Sequence, residues 1–384
     1  MTNGGETEPA DVVVIGAGAA GLAVTAAIAK TGRRVLLLER CETAGTAWID
    51  RVPGLRLNTE RRLSSVAGWI APRSLGRWPT GNDYSGYLAS VAAALARRPE
   101  VELRFGAEVG RIEQADDDSG SSHTRWLVHT DAGPLECAAV VVATGKDRIP
   151  HIPRLPGDDS TSIERVHAEA LDGLGRFRGS RVLVVGAGNT GTELAHQLAA
   201  IARVDLAMRS RPLFVRRNVA GLPLTWITMA VRWLPDRALD LMGPRFQRAL
   251  FGDLTDLGLG SPDMSLSDIR HMGSGPVVDA GFIDAVRAGN ITLQPALSAF
   301  DGDRAVFADG RRVAYDTVIM ATGYRTGLGP MIGHLVALDD NERPIDPPRL
   351  APGLYAMGFN QSLTAFLPDF DRQARRIAKE LAER

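Results

Sequence analysis

One stretch near the start constrains this chain more than any other: Asp11-Val-Val-Val-Ile-Gly16-Ala-Gly18-Ala-Ala-Gly21, with Glu39 eighteen residues past the last of those glycines. Val12 to Ile15 form an apolar, β-branched run, too short for a helix and suited to a strand buried on both faces. The GxGxxG that follows has a physical division of labour. Gly16 permits the tight turn, Gly18 lets backbone approach a pyrophosphate, and Gly21 lets a helix pack against the strand. Leu22 to Lys30 then reads as a helix whose first amides face an anion, and Gly32 ends it. Arg34 to Glu39 reads as a second buried strand, with Glu39 at its C-terminal end, where a carboxylate accepts the hydroxyls of an adenosine ribose. Strand, turn, helix, strand and acid at these spacings predict a dinucleotide site.

The pattern recurs. Arg181-Val-Leu-Val-Val-Gly186-Ala-Gly188-Asn-Thr-Gly191 is a second strand and GxGxxG, with a helix to about Ala200 and a strand over Val204 to Met208. Ile291 to Ala314 mirrors Val101 to Glu136, and Asp316 to Gly323 mirrors the buried strand Ala139 to Gly145. This is an internal duplication. Gly353 to Asn360 and the helix Asp369 to Glu383 have no counterpart before the second unit and read as the first unit resuming. The fold class expected is α/β, with two Rossmann-like dinucleotide-binding domains, one inserted into the other. The first covers 1–164 and 326–384 and the second 165–325, with a helical excursion at about 213–275 and a boundary in the proline-rich Ile149 to Gly157.

The two ribose positions differ in chemistry. Eighteen residues past Gly191 stands Arg209, followed by Ser210 and Arg211, where the first unit has Glu39. An acid favours a free 2′-hydroxyl, whereas arginine binds a 2′-phosphate bidentately. FAD in the first unit and NADPH in the second make this a flavin oxidoreductase.

Composition excludes several other classes. A formal net charge of −1 over 384 residues gives no general affinity for nucleic acid or an anionic membrane. Cys41 and Cys137 are the only cysteines and form neither a CxxC pair nor a disulfide framework, so a cytoplasmic location is expected. Residues 1–10 lack the pattern of a signal peptide. The longest apolar-rich run, Leu222 to Leu234, is too short to span a bilayer. Seven scattered histidines suggest no metal site. Residues 115–122 read as a hairpin loop, and a homodimer is left open.

Taken as a set, these residues resemble the flavin-containing monooxygenase family, the class B flavoprotein monooxygenases. The likeness covers both glycine loops, Gly45-Thr-Ala-Trp48, Leu55-Arg-Leu-Asn58-Thr59, Ala143-Thr-Gly145 with its linker, Ala321-Thr-Gly-Tyr-Arg325 and Leu354-Tyr-Ala-Met-Gly-Phe359. It implies FAD contacts at Gly16, Gly18, Ala20, Gly21, Glu39, Arg40, Thr46, Trp48, Asn58, Val109, Ala143, Thr144, Gly145, Gly358 and Phe359. It implies NADPH contacts at Gly186, Gly188, Asn189, Thr190, Gly191, Arg209, Ser210, Arg211, Ala321, Thr322, Gly323 and Tyr324. Asn58 takes the catalytic role, stabilising a C4a-(hydro)peroxyflavin that oxygenates a small apolar molecule at nitrogen, sulfur or a carbonyl, the last by Baeyer–Villiger-type chemistry. The family signature F-x-G-x-x-x-H-x-x-x-W/Y/F is here Thr161-Ser-Ile163-Glu-Arg-Val-His167-Ala-Glu-Ala-Leu171, keeping only His167, so no subgroup is assigned.

Other readings stand beside these. The enzyme could be an NADPH oxidase or flavin reductase without oxygen transfer, and a non-catalytic redox sensor is the third class. Asn58 could be an ordinary turn residue, and His167 an interdomain hydrogen-bonding residue. Asp83 and Tyr84 are candidates for the substrate or NADPH side. Trp226, Ile227, Met229, Ala230, Trp233 and Leu234 are expected to form a packed lid over an apolar substrate channel, with a membrane-surface helix as the minority reading.

Overall fold

Branched aliphatic residues occupy the middle of two separate sheets. The structure is a computed structural model that describes residues 10–49, 51–115, 125–272, 275–359 and 366–383. Residues 116–122 of the expected hairpin loop and residues 1–9 lie outside the described residues.

The first unit runs β1 (Val12–Ile15), α1 (Ala19–Ala29), β2 (Val35–Glu39), α2 (Gly81–Leu95) and β3 (Val101–Phe105). An antiparallel meander follows, β4 (Val109–Gln114), β5 (Trp126–Thr130) and β6 (Gly133–Cys137), and then β7 (Ala139–Val142). The sheet order is Arg349–Ala351, Leu354–Ala356, β7, β1, β2, β3, with every neighbour parallel except the Arg349–Ala351 edge. β1 is buried along its whole length, as a central parallel strand covered on both faces must be. Leu37 and Leu38 are fully buried, each contributing roughly 1.5–3 kcal/mol. α1 is rich in alanine and buried nearly all round because α2 and the C-terminal helix Phe366–Ala382 pack against it. Gly32, at φ +82°, closes it. Gly106, with a φ of +66°, turns the chain out of β3, so Val109 opens β4.

The second unit follows β8 (Ile149–Pro150) with β9 (Glu164–His167), β10 (Arg181–Val185), α3 (Asn189–Leu198) and β11 (Arg203–Ala207). Its parallel sheet has the order Ile291–Gln294, β11, β10, Thr317–Met320, β9. β10 thus stands to its neighbours as β1 does to β2 and β7. A second antiparallel meander, Leu297–Asp301, Arg304–Phe307 and Arg312–Ala314, repeats β4 to β6. The chain returns through Tyr324–Arg325, which pairs antiparallel with β8.

Residues 213–275 contain β12 (Phe214–Arg216), α4 (Leu224–Val231), α5 (Asp236–Phe251) and α6 (Leu266–His271). α5 anchors the segment through buried Leu239 and Phe251 and through Gln247, which accepts from the Phe214 amide at 2.7 Å and donates to the Gly260 carbonyl at 3.0 Å. The expectation of a packed lid is corrected here. In α4 only Leu224 and Thr225 are buried, while Trp226 is 44% and Trp233 78% exposed. The apolar spacing is real, but the face is covered only in part, with Ile227, Met229 and Leu234 half-buried and the two tryptophans exposed. No helix among the described residues is long and apolar enough to cross a membrane.

Candidate nucleotide and flavin site

Both glycine turns can be tested by asking what a methyl group would meet. At Gly16, with φ +104°, a Cβ would lie 2.7 Å from the Ala143 carbonyl oxygen, and at Gly21 it would lie 1.8 Å from the Gly16 oxygen. The second turn repeats this: Gly186, at φ +114°, would meet the Ala321 oxygen at 2.5 Å, and Gly191 the Gly186 oxygen at 1.8 Å. The outer glycines are therefore required by the protein itself. The middle ones are not. A Cβ on Gly18 or Gly188 meets nothing within 4 Å, and both residues have the extended backbone that any amino acid adopts. Their bareness leaves space over the first turn of α1 and of α3, where amides and helix dipole favour a pyrophosphate. The residues present fit two dinucleotides.

The first cradle is closed by Ala143, Thr144 and Gly145 after β7 and by Gly358 and Phe359 after Leu354–Ala356. A Cβ on Gly358 would sit 3.0 Å from the Ala20 Cβ, so this return of the chain is built close to the start of α1. Val109 and Phe359 are buried. The Thr144 hydroxyl is buried with no hydrogen-bond partner among the described residues, as suits a group that meets a polar atom of a bound dinucleotide. Glu39 is held by the Ala17 amide at 2.7 Å and the Cys41 amide at 3.0 Å, which fixes its carboxylate at the sheet edge beside exposed Arg40.

In the second cradle the arginines divide. Arg211 clasps Asp263, donating from Nε at 2.9 Å and from its own backbone amide at 2.8 Å. The same contact lowers the Asp263 carboxyl and raises the Arg211 guanidinium relative to their ordinary values. Arg209 and Ser210 stay exposed beside it. The Asn189 carboxamide oxygen is taken by the Val278 amide at 2.7 Å, which leaves its Nδ2 and its backbone amide as donors for a phosphate, next to half-buried Thr190.

Between the cradles lies a junction. Gly45, at φ +77°, admits the short turn Thr46–Trp48, and the Trp48 ring meets Tyr84 edge-on at 5.1 Å. Half-buried Asn58 accepts at Oδ1 from Arg217 Nη2 at 3.0 Å, which leaves Nδ2 to donate elsewhere. Arg217 faces Glu193 of α3: burial raises the Glu193 carboxyl and Arg217 opposes it, while burial lowers the Arg217 guanidinium and Glu193 opposes that. Arg51 donates to the Ala47 and Asp147 carbonyls and stands 4.2 Å over the Tyr324 ring. The Tyr324 hydroxyl is buried without a hydrogen-bond partner among the described residues. Burial raises this phenol and the Arg51 cation opposes the rise. Thr322 donates its hydroxyl to the His151 carbonyl.

Two expectations are corrected at the same place. His167 bonds the Gly323 carbonyl through Nε2 at 3.0 Å and accepts the Glu169 amide at Nδ1, so its bonds lie within the second unit, because β9 is a strand of that sheet. Burial lowers its pKa. Asp83 and Tyr84 serve the fold instead of a ligand. The Asp83 amide and carboxylate cap α2 with Thr80, and Tyr84 is fully buried and donates to the Ser64 carbonyl. Arg51, Glu193 and Arg217 were not named from the sequence as site residues. Arg217 and Asn58 are 159 positions apart, and no local pattern links them.

Residues 13–221, more than half of the chain, match the family model described as pyridine nucleotide-disulphide oxidoreductase. The chain is 30% identical over 366 residues to the indole-3-pyruvate monooxygenase YUCCA1 of Oryza sativa subsp. japonica, covering 93% of this chain and 88% of that one. It belongs to the flavin-containing monooxygenase family. As a member it is an FAD- and NADPH-dependent flavoprotein monooxygenase. Among solved structures it is similar to a flavin-containing monooxygenase from Stenotrophomonas maltophilia, with a TM-score of 0.75 at 20% identity over 98% of this chain and 99% of that one. A cyclohexanone monooxygenase from Rhodococcus sp. Phi1 bound to NADP+ aligns with a TM-score of 0.69 at 20% identity, covering 98% and 85%. Disulphide chemistry has no basis in this family member: Cys137 is buried, which pushes its thiol up to about 12, and Cys41 belongs to a different segment.

Proposed function

We propose that this flavin monooxygenase passes one oxygen atom to a small, largely apolar molecule at a carbonyl carbon, a nitrogen or a sulfur. One observation carries the reading: two bare middle glycines, Gly18 and Gly188, each open a cradle, with Glu39 on the ribose side of one and Arg209 on that of the other. Glu39 and Arg40 would hold the ribose of FAD at the start of α1, and Ala20, Val109, Ala143 to Gly145, Gly358 and Phe359 would line it. Gly186 to Gly191 at the start of α3 would hold NADPH, Arg209 and Ser210 would take its 2′-phosphate, and Ala321 to Tyr324 would face its nicotinamide. Arg211 supports this end of the site through Asp263. The proposed unit boundaries are 1–164 with 326–384, and 165–325, with Glu164 itself already opening β9 of the second sheet.

When bound, the flavin supplies the activation of dioxygen, with electrons taken from the nicotinamide. The chain supplies orientation. Arg217 holds the Asn58 oxygen, so Nδ2 points in one fixed direction as a donor that needs no rearrangement during the reaction. Arg51 holds the Tyr324 ring and ties the Thr46–Trp48 turn to the loop after β7. A carbonyl stands first among the three target groups because the rice relatives are named for indole-3-pyruvate, a ketone. Unpaired cysteines support a cytoplasmic site of action.

The test is hydrogen peroxide released per NADPH oxidised, with a ketone, amine and sulfide panel. A true substrate lowers that ratio in the wild type, and Asn58→Ala raises it again while FAD stays bound. An unchanged ratio in Asn58→Ala removes the asparagine from the reaction.

A further inference from the structure

We propose that the groove between the loop 60–77 and the start of α4 is a binding site for a small organic anion with a flat apolar body. The groove holds about 550 Å³, within the range of small-molecule sites. Arg61, Arg62, Arg73 and Arg77 line one side, and Leu222 and Trp226 line the other. Arg77 ties the walls together by donating to the Gly221 carbonyl at 2.8 Å.

Charge makes this an anion site. Arg61 is only 9% exposed, and its one side-chain hydrogen bond among the described residues runs from Nη1 to the neutral Ala71 carbonyl. None of the four arginines has an ion pair with a carboxylate among the described residues. Buried charges are ordinarily paired, because removing a cation from water without a counter-charge is costly. The nearby carboxylates do not serve. Glu60, in the groove, accepts the Arg62 backbone amide at 3.1 Å and caps the turn that carries Arg61. Asp371, in the adjoining recess, accepts the Ala67 amide at 3.0 Å. Four cations against two committed carboxylates leave a net positive groove.

The opposite wall selects the body of the ligand. Leu222 is 59% exposed and lines the groove with Trp226, so an apolar surface shares it with guanidinium groups. A planar ring covers the indole while its anionic group reaches Arg61 and Arg73, which guanidinium forks bind well. The groove adjoins the junction: Glu60 is two residues from Asn58, and the Arg77 and Arg217 guanidinium groups each stand 5.7 Å from the Trp78 ring. An anion captured here is delivered beside Asn58. Binding at the groove does not depend on the oxygenation reading.

The test is isothermal titration of the FAD-loaded protein with 3-phenylpropionate and, as the uncharged control, 3-phenylpropan-1-ol. The acid is expected to bind at least about tenfold more tightly than the alcohol, the scale of one charge-assisted hydrogen bond. Arg73→Gln and Arg62→Gln, both on exposed side chains, should each weaken the acid about threefold or more and leave the alcohol unchanged. Arg61→Gln, with FAD content as the check on folding, should abolish acid binding, and Trp226→Ala should weaken both ligands. Equal binding of acid and alcohol, or acid binding indifferent to Arg61 and Arg73, overturns the proposal. So does Trp226-dependent co-sedimentation with phosphatidylglycerol vesicles without acid binding, which would make the groove a lipid-facing surface. If the acid binds and peroxide release shows no coupling, the oxygenation reading fails and the anion site stands.

Discussion

Alanine substitutions along one glycine turn should separate two properties that are usually lost together. At Gly21 the added methyl would lie 1.8 Å from the Gly16 carbonyl oxygen, where ordinary contact begins above 3.4 Å. Neither partner is a flexible side chain, so the turn and α1 must part by more than an ångström. Overpacking of this kind costs roughly 1–3 kcal/mol and more where backbone is involved, a large part of the roughly 5–15 kcal/mol that holds a domain together. At Gly18 the backbone is at φ −76° and ψ −177°, open to any residue, and the methyl meets nothing within 4 Å. Gly18→Ala should therefore leave the flavin-free protein as stable as the wild type, or more stable by about 0.4–1 kcal/mol through the restricted unfolded chain. Yet the methyl occupies the pyrophosphate's path, so FAD should be lost. The assay is urea unfolding of flavin-free protein, with bound flavin read from visible absorbance after reconstitution. Gly188→Ala and Gly191→Ala should repeat the contrast for NADPH, with FAD retained by Gly188→Ala. A Gly18→Ala protein that keeps FAD, or unfolds as early as Gly21→Ala, refutes the assignment of the middle glycine to the ligand.

Three further outcomes are expected. Arg209→Gln should raise KM for NADPH about tenfold or more and leave NADH almost unchanged, since only the former carries the 2′-phosphate; equal effects on both would detach Arg209 from that phosphate. Arg217→Met should free the Asn58 carboxamide and strand Glu193, costing about 1–3 kcal/mol in stability and raising peroxide release per NADPH. Adding Glu193→Gln should restore stability and leave the peroxide leak, and restoration of both would reduce Arg217 to a structural role. His167 has a lowered folded pKa, so its contribution is present above its ordinary value of 6.5 and fades as pH falls through the folded value. The Tm difference between wild type and His167→Asn should therefore be largest near pH 7.5 and shrink toward pH 5; a constant difference would mean that proton uptake at His167 is not coupled to folding.

What was legible in the sequence was whatever local backbone geometry dictates. Val12 to Ile15 and Arg181 to Val185 must be strands, the outer glycines must be glycine, and the register between each turn and its ribose-side residue follows from one helix and one strand. The second sheet repeats the first because the same local instructions recur. What was not legible depends on contacts between distant segments. Nothing near Asn58 announces Arg217, and nothing near Arg211 announces Asp263, 52 positions on, which takes the guanidinium that the second cradle was expected to use. Apolar spacing in α4 identified a face without saying whether anything covers it, so Trp226 and Trp233 read as packed and are exposed. Asp83 was a candidate for the site, whereas three residues after the N-cap Thr80 it donates its amide to the threonine hydroxyl and accepts from it at the start of α2.

The central claim is that the site protects reactive oxygen on the flavin until a substrate takes it. The most direct measurement adds oxygen to fully reduced enzyme and follows oxygen uptake and peroxide release together, once after reduction by NADPH and once after reduction by dithionite. With NADP+ left in place by NADPH, oxygen uptake should be fast and peroxide release should lag well behind it, and the lag should shorten in Asn58→Ala. Without the nucleotide the two should rise together. Peroxide that appears in step with oxygen uptake under both conditions would contradict the account and leave an NADPH oxidase in its place.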